Sequence, residues 1–333
     1  MERLNPEGLE LDMITLRDII DKSLRSLIDG LPSYSLNSQL QYALLSPGKR
    51  LRPILVLLST QAVGGEVKKV LPLALSIEAL HAATLVHDDI IDNDKYRREL
   101  PTVQSKWGIN NAILVGDALI SLSIRLASDY GTRIVKIISN AGLALANGAH
   151  LESTSSLATM TEMKYIEMIK GKSASLFKAA TLCGSLAGGG SREEVEALGD
   201  YGEQLGLAYQ IRDDLEDLKT GYFSSIPADI RNAVPTLPLV LLYQRGDTES
   251  RTLLQRNFGQ NASFSDSQRI IEKLKEQGST LYSEQKIIES IEAGCSALSI
   301  LKTSDALRLL MDMFSVVAPS RYFLKEGIID AIA

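Results

Sequence analysis

His87-Asp88-Asp89-Ile90-Ile91-Asp92-Asn93-Asp94 and, much further along, Asp213-Asp214-Leu215-Glu216-Asp217 decide how the chain is read. Each stretch sets two carboxylates four residues apart, Asp88 with Asp92 and Asp213 with Asp217. On a helix that spacing puts both on one face, a turn apart. Each stretch closes a long apolar-periodic segment, so it falls near the C-terminal end of its helix, where the macrodipole is already negative. One acidic run is commonly a solvated helix face. Two runs of Asp-Asp-x-x-Asp form, both at the unfavourable end, require something positive between them.

Outward from these stretches, helical periodicity runs almost throughout and strand alternation is nearly absent. Helices are expected over 11–29, 36–45, 52–63, 67–92, 103–130, 132–157, 161–187 and 192–218. After a broken segment at 221–234 come 236–244, 265–277, 281–301 and 304–317. Segments between Val67 and Leu218 are apolar on more than one face, as in the middle of a bundle. The expected fold is all-α: an antiparallel bundle of about ten to twelve helices around a deep central cavity. We read 1–333 as a single domain, with 1–30 as a packing N-terminal helix.

Composition narrows the function. The 333 residues carry a formal net charge of −6 with no basic block, which argues against nucleic acid. The first residues lack a signal-peptide plan, and the apolar run before the first aspartates is broken by Glu78 and His81, so no membrane span is expected. Cys183 and Cys295 make neither a disulfide framework nor a thiolate metal site. A cytoplasmic protein is the expectation.

Clustered carboxylates either raise one another's pKa or recruit a cation. Oxygen-only ligands select hard cations, and Mg²⁺ is typically held by one or two carboxylates plus substrate phosphates. A diphosphate would supply the remaining oxygens. A general acid/base or glycosidase dyad needs only two carboxylates, fewer than are present. Cations recur in Gly48-Lys49-Arg50-Leu51-Arg52-Pro53 at a helix start, in Tyr96-Arg97-Arg98, and at Lys172 in Gly171-Lys172-Ser173-Ala174. Two anion sites follow, one metal-bridged and one held by Lys and Arg.

With these motifs in order over at least 46–238, together with Pro101-Thr102, Gly116-Asp117 and Gln210-Ile211-Arg212-Asp213, the sequence resembles the trans-isoprenyl diphosphate synthases. These are the farnesyl, geranylgeranyl and polyprenyl diphosphate synthases. The resemblance implies that Asp88, Asp92 and Asp213 bind Mg²⁺, up to three ions, bridging an allylic diphosphate. Asp89, Asp214 and Asp217 would sit in or near the same shell. Arg97 and Lys172 would grip that diphosphate, while Lys49, Arg52, His81 and Arg98 hold isopentenyl diphosphate. Gln210 and Ser173 would line the reaction centre. The implied reaction ionises the allylic C–O bond, alkylates isopentenyl diphosphate and loses a proton; a homodimer is the family's habit.

Four positions depart from the family pattern: Glu99 and Ala233 stand where glycine is common, and Tyr222 and Val234 where lysines are. The alternatives are a farnesyl-length product, a non-catalytic partner subunit of a heteromeric synthase and a class I terpene cyclase. Product length would depend on how far the tail runs below the aspartates. Ala83 and Thr84, a turn before Asp88, are small where short-chain members carry aromatics, so geranylgeranyl or longer products are expected. Leu80, or Ile120 and Ile124, would form a deeper floor. Ala83→Phe should shorten the product when chains are sized by chromatography; an unchanged product would remove Ala83 from the pocket wall.

Overall fold

The computed structural model describes residues 6–220, 225–259 and 262–317. In chain order the elements are α1 (Pro6–Asp29), α2 (Asn37–Leu44), α3 (Leu51–Ala62), α4 (Val67–Ile91), β1 (Tyr96–Arg97), β2 (Leu100–Pro101), α5 (Val103–Trp107), α6 (Ile109–Ser128) and α7 (Thr132–Thr154). Then follow α8 (Glu162–Ile169), a π-turn (Lys170–Ala174), α9 (Ser175–Ala187), α10 (Arg192–Thr220), α11 (Ala228–Arg231) and α12 (Leu237–Arg245). The last are α13 (Thr248–Asn257), α14 (Phe264–Glu276), α15 (Ser279–Ala297), a 3₁₀ turn (Leu298–Ile300) and α16 (Asp305–Val317). The fold is all-α, as the periodicity predicts. Among the described residues the strands are one short antiparallel pair, with Tyr96 opposite Pro101 and Arg97 opposite Leu100.

The differences from the expected boundaries have local causes. Gly108, at φ 85°, ends α5 and begins α6, dividing the helix expected over 103–130. The stretch 161–187 is likewise divided by the π-turn. Helix α13 has no counterpart in the periodicity because few of its positions are apolar; a cap supports it, with Asp247 Oδ1 accepting the N–H of Ser250 at 2.7 Å. Residues 221 and 222 of the broken segment lie outside the described residues, so the departure at Tyr222 has no structural counterpart here.

The chain divides into two compact units. One comprises Met1–Gly142, Leu176–Gly199 and Ile300–Asp312. Its middle is α4, which touches α1, α2, α3, α5 and α6. Helix α3 is buried on nearly every side, and Ile54, Leu55, Val56, Leu57 and Leu58 are fully buried, the pattern of a central helix. It meets α9 backbone to backbone: Thr60 Oγ1 donates to Gly184 O at 2.9 Å, and a Cβ on Gly184 would collide with Val56 O. Helix α6 is held to α4 by Ser76 Oγ donating to Ser123 O at 2.8 Å. His87 fills the space that Gly116 leaves.

The other unit comprises Leu143–Ser175, Asp200–Ser299 and Met313–Ala333. Helix α12 is its core element, with Leu237, Leu239, Val240, Leu241 and Leu242 buried and α8, α13, α14 and α15 against it. Tyr201 and Phe314 meet edge to face, ring centres 5.5 Å apart. Glycines 148 and 171 press α7 against the π-turn: a Cβ on Gly148 would strike the backbone N of Lys172, and one on Gly171 would strike Ala144 O.

Glu99 (φ 67°) and Ala233 (φ 59°), both standing where the family resemblance expects glycine, lie in the left-handed region. That conformation costs an L-residue about 1–2 kcal/mol, most of which glycine avoids. Glu99→Gly and Ala233→Gly should each raise stability in denaturant melts by about 0.5–1 kcal/mol, after allowing for the extra freedom of glycine in the unfolded chain. A loss of stability in either would show that the side chain earns its strained backbone.

Candidate active site

Helix α4 delivers the first aspartate motif at its C-terminal end. Asp92 is the C-cap residue, and its N–H bonds to Asp88 O at 2.8 Å, so the helical register carries through and the two carboxylates share a face. Asp88 is half-buried and Asp92 exposed. Asp89 between them turns inward, 4% exposed, and Arg97 Nε donates to its Oδ1 at 2.6 Å. Burial raises the Asp89 pKa, and the Arg97 guanidinium opposes that rise. The chain beyond the helix is fixed by side chains from α5 and its cap: Gln104 Nε2 donates to Asp89 O and Asp94 O, and Thr102 Oγ1 to Asp94 O.

The cationic groups of the same unit gather one to three turns back along α4. Arg52 Nη1 lies 3.1 Å from His81 Nε2, and its guanidinium stacks 4.4 Å over the Phe177 ring. Arg98, the other strained residue of the β1–β2 turn (φ 50°), donates to Pro47 O. Burial first, then the positive fields of Arg52, Arg98, Arg50 and Arg97, hold the His81 pKa well below its ordinary value. His81 is therefore a neutral imidazole among four guanidinium groups, a setting that favours an anion. Lys49 stands exposed beside them. On the same helix Leu80 and Ala83 are buried and Thr84 is half-buried, its hydroxyl donating to His81 O at 2.8 Å. On α6, Ile124 is half-buried and Ile120 is 38% exposed.

The second motif belongs to the other unit and repeats the pattern. On α10, Asp213 is exposed and Asp217 half-buried, while Asp214 is 5% exposed and held from two sides. Tyr165 Oη donates to Asp214 Oδ2 at 2.6 Å and Gln210 Nε2 to Oδ1 at 2.8 Å. Ser173 Oγ in turn donates to Gln210 Oε1. Lys172 pairs with Glu152. The π-turn widens the helix by one residue at Lys172 and Ser173, a distortion frequent at functional positions. Asp217 accepts the backbone N–H groups of Ala228 at 3.1 Å and Asp229 at 2.9 Å.

This unit is short of positive charge. Burial pushes Asp214 up to about 7 against the pull of its two hydrogen bonds. Burial, then the fields of Asp214, Asp217, Glu152 and Asp213, push Asp229 up to about 9. Lys219, two residues after Asp217, is engaged with Glu216 at 2.7 Å. Glu152, paired with Lys172, and Asp229, whose N–H meets Asp217, are neighbours of the second motif that pattern reading misses. One stands alone in an apolar helix and the other in the broken segment, with no spacing signal. Each motif taken by itself offers carboxylate oxygens only, the donor type a hard cation takes. Asp88, Asp92, Asp213 and Asp217 are exposed or half-buried, and among the described residues no three His, Cys, Asp or Glu side chains converge into a metal-holding group.

The polyprenyl synthetase family model matches residues 33–275. The chain belongs to the polyprenyl synthetase family. It is 32% identical to a short chain isoprenyl diphosphate synthase of Methanothermobacter thermautotrophicus over 88% of this chain and 93% of that one. The geranylgeranyl pyrophosphate synthetase of Pyrococcus horikoshii superposes with a TM-score of 0.86 at 32% identity, covering 94% of this chain and 98% of that one. A Caulobacter crescentus polyprenyl synthase solved with calcium and isoprenyl diphosphate superposes with a TM-score of 0.81 at 26% identity, covering 93% and 95%. As a polyprenyl synthetase family member, this chain is a prenyltransferase of the prenyl diphosphate synthase class.

If Tyr165 is what steadies the buried Asp214, removing its hydroxyl exposes the cost. Tyr165→Phe should lower the stability of the metal-free protein by about 1.5–3 kcal/mol, the worth of a hydrogen bond to a charged group. Unchanged denaturation would show that Asp214 has no need of it.

Proposed function

We propose that the chain joins isopentenyl diphosphate to an allylic diphosphate with Mg²⁺, releasing inorganic diphosphate and a trans-prenyl diphosphate of geranylgeranyl length or longer. The observation that carries this reading is the layout of α4. One helix bears the Asp88–Asp92 pair at its end and, seven residues back, neutral His81 among four arginines. At 1.5 Å per residue the two are about 10 Å apart along the axis, a metal-diphosphate end and a cation-held diphosphate end on one rigid element.

In this reading Asp88 and Asp92, and Asp213 and Asp217 of the second motif, are the residues that would hold Mg²⁺ for the allylic diphosphate, and Arg97 and Lys172 would grip that diphosphate. Asp89 and Asp214 are taken up by Arg97 and by Tyr165 with Gln210, so they steady their neighbours. Lys49, Arg52, His81 and Arg98 hold isopentenyl diphosphate, and Ser173 and Gln210 line the reacting carbons. The bound ions would supply Lewis-acid stabilisation of the leaving diphosphate. Fixed cations do the same for its oxygens without reorganising. His81, neutral, donates or accepts one hydrogen bond and adds no charge. Ala83 is a small side chain packed into the core beside α4, and the lack of an aromatic there is what supports the longer product.

The family match runs through segments of both units, which supports one catalytic domain. Of the two helices apolar and long enough to cross a membrane, α4 has 67% of its apolar window buried. Helix α6 exposes Ile109, Ile113, Leu114 and Ile120; we read that face as a homodimer contact of a cytoplasmic enzyme. The test incubates pure protein with Mg²⁺, isopentenyl diphosphate and farnesyl diphosphate, sizes the products and measures the sedimenting mass. Linear prenyl diphosphates of geranylgeranyl length or longer, from a dimer and only with divalent metal, are expected. Cyclised hydrocarbon from the allylic substrate alone would mean a cyclase, and no product without an added subunit would mean a partner protein.

A further inference from the structure

Arg50 stands between two of the residues read as holding isopentenyl diphosphate, and its side chain is taken up by Asp21, Glu78 and Ser46 O. It is 8% exposed and its backbone is left-handed, φ 52° and ψ 32°, at the N-cap of α3. A left-handed arginine persists only where its surroundings over-determine it. Three of its donors are taken: Nε by Asp21 Oδ1 of α1 at 2.9 Å, Nη1 by Glu78 Oε1 of α4 at 2.5 Å, and Nη2 by Ser46 O at 2.9 Å. Glu78 is 3% exposed, and its other oxygen, Oε2, has no hydrogen-bond partner among the described residues. That carboxylate is therefore committed to Arg50.

Glu78 and His81 lie three residues apart on α4, neighbours on one face. Arg50 docks on the first and Arg52 on the second. The left-handed turn at Arg50 thus sets the direction in which Lys49 leaves the loop and Arg52 enters the helix. Removing one partner of a buried pair leaves an uncompensated charge, whereas removing both is often neutral for stability.

We propose that Asp21, Arg50 and Glu78 form a buried positioning triad for the isopentenyl diphosphate site, through which the N-terminal helix α1 takes part in substrate affinity. The triad touches no substrate; it holds the 46–50 loop so that Lys49 and Arg52 converge with His81. This rests on the substrate reading given above.

The experiment compares wild type with Asp21→Asn, Glu78→Gln and the double variant Arg50→Gln/Glu78→Gln, measuring both KM values, kcat and the melting temperature. Expected are a KM for isopentenyl diphosphate raised about threefold in Asp21→Asn and at least tenfold in Glu78→Gln, with the allylic KM and kcat within about threefold of wild type. The double variant should regain much of the melting temperature lost by Glu78→Gln while its KM for isopentenyl diphosphate stays high. If that KM returns as stability returns, or if Asp21→Asn and the double variant both bind isopentenyl diphosphate like wild type, the triad is only a fold contact and the proposal falls. A wild type that is active on some other co-substrate would instead overturn the substrate reading.

Discussion

Like charges at the negative ends of two helices are the constraint on which the rest of the molecule depends. Asp88 and Asp92 close α4, and Asp213 and Asp217 fall in the last two turns of α10. At both places the helix dipole adds to carboxylate repulsion. Each motif answers in the same way. The middle aspartate turns inward and is neutralised or hydrogen-bonded within its own unit, Asp89 by Arg97 and Asp214 by Tyr165 and Gln210. The outer aspartates are less buried: Asp92 and Asp213 are exposed, and Asp88 and Asp217 half-buried. Asp229, beside the second motif, is pushed up to about 9 by burial first and then by the fields of Asp214, Asp217, Glu152 and Asp213.

The cationic half of the site depends on backbone geometry more than on charge count. Arg50, Arg98 and Glu99 all have positive φ, and each lies in or beside a segment that aims an arginine. Strain of this kind, about 1–2 kcal/mol per residue, has to be balanced by specific contacts. Arg50 has its two carboxylates, and Arg98 has the carbonyl of Pro47. The loop at 46–50 and the hairpin at 96–101 are thereby tied to one another and to α4, so the helix that presents the aspartates also fixes the arginines.

Much of this was legible in the sequence because it is periodic. The i,i+4 aspartates, the apolar run of α3 and the Gly-bounded helix ends all leave spacing signals, and the all-α class follows from them. What was not legible arises from single residues acting over long separations. Nothing near Asp21 shows that it meets Arg50, 29 residues on, nor does any pattern link Tyr165 to Asp214, 49 residues away. The π-turn is hidden for a related reason: one glycine, Gly171, does not by itself distinguish Lys170–Ala174 from a continuous helix, and close backbone contacts at Gly148 and Gly171 accompany the extra residue. Polar α13, held by its Asp247 cap, escaped periodicity altogether.

The most direct measurement is calorimetric titration of inorganic diphosphate into the protein, with and without Mg²⁺, for wild type, Asp88→Asn, Asp213→Asn and the double variant. If both motifs hold one metal–diphosphate unit, binding requires Mg²⁺, each single variant weakens it at least tenfold, and the double variant is weaker than either by much less than the product of the two effects. Metal-independent binding of wild-type strength in either single variant, or losses that simply multiply, would contradict a shared site.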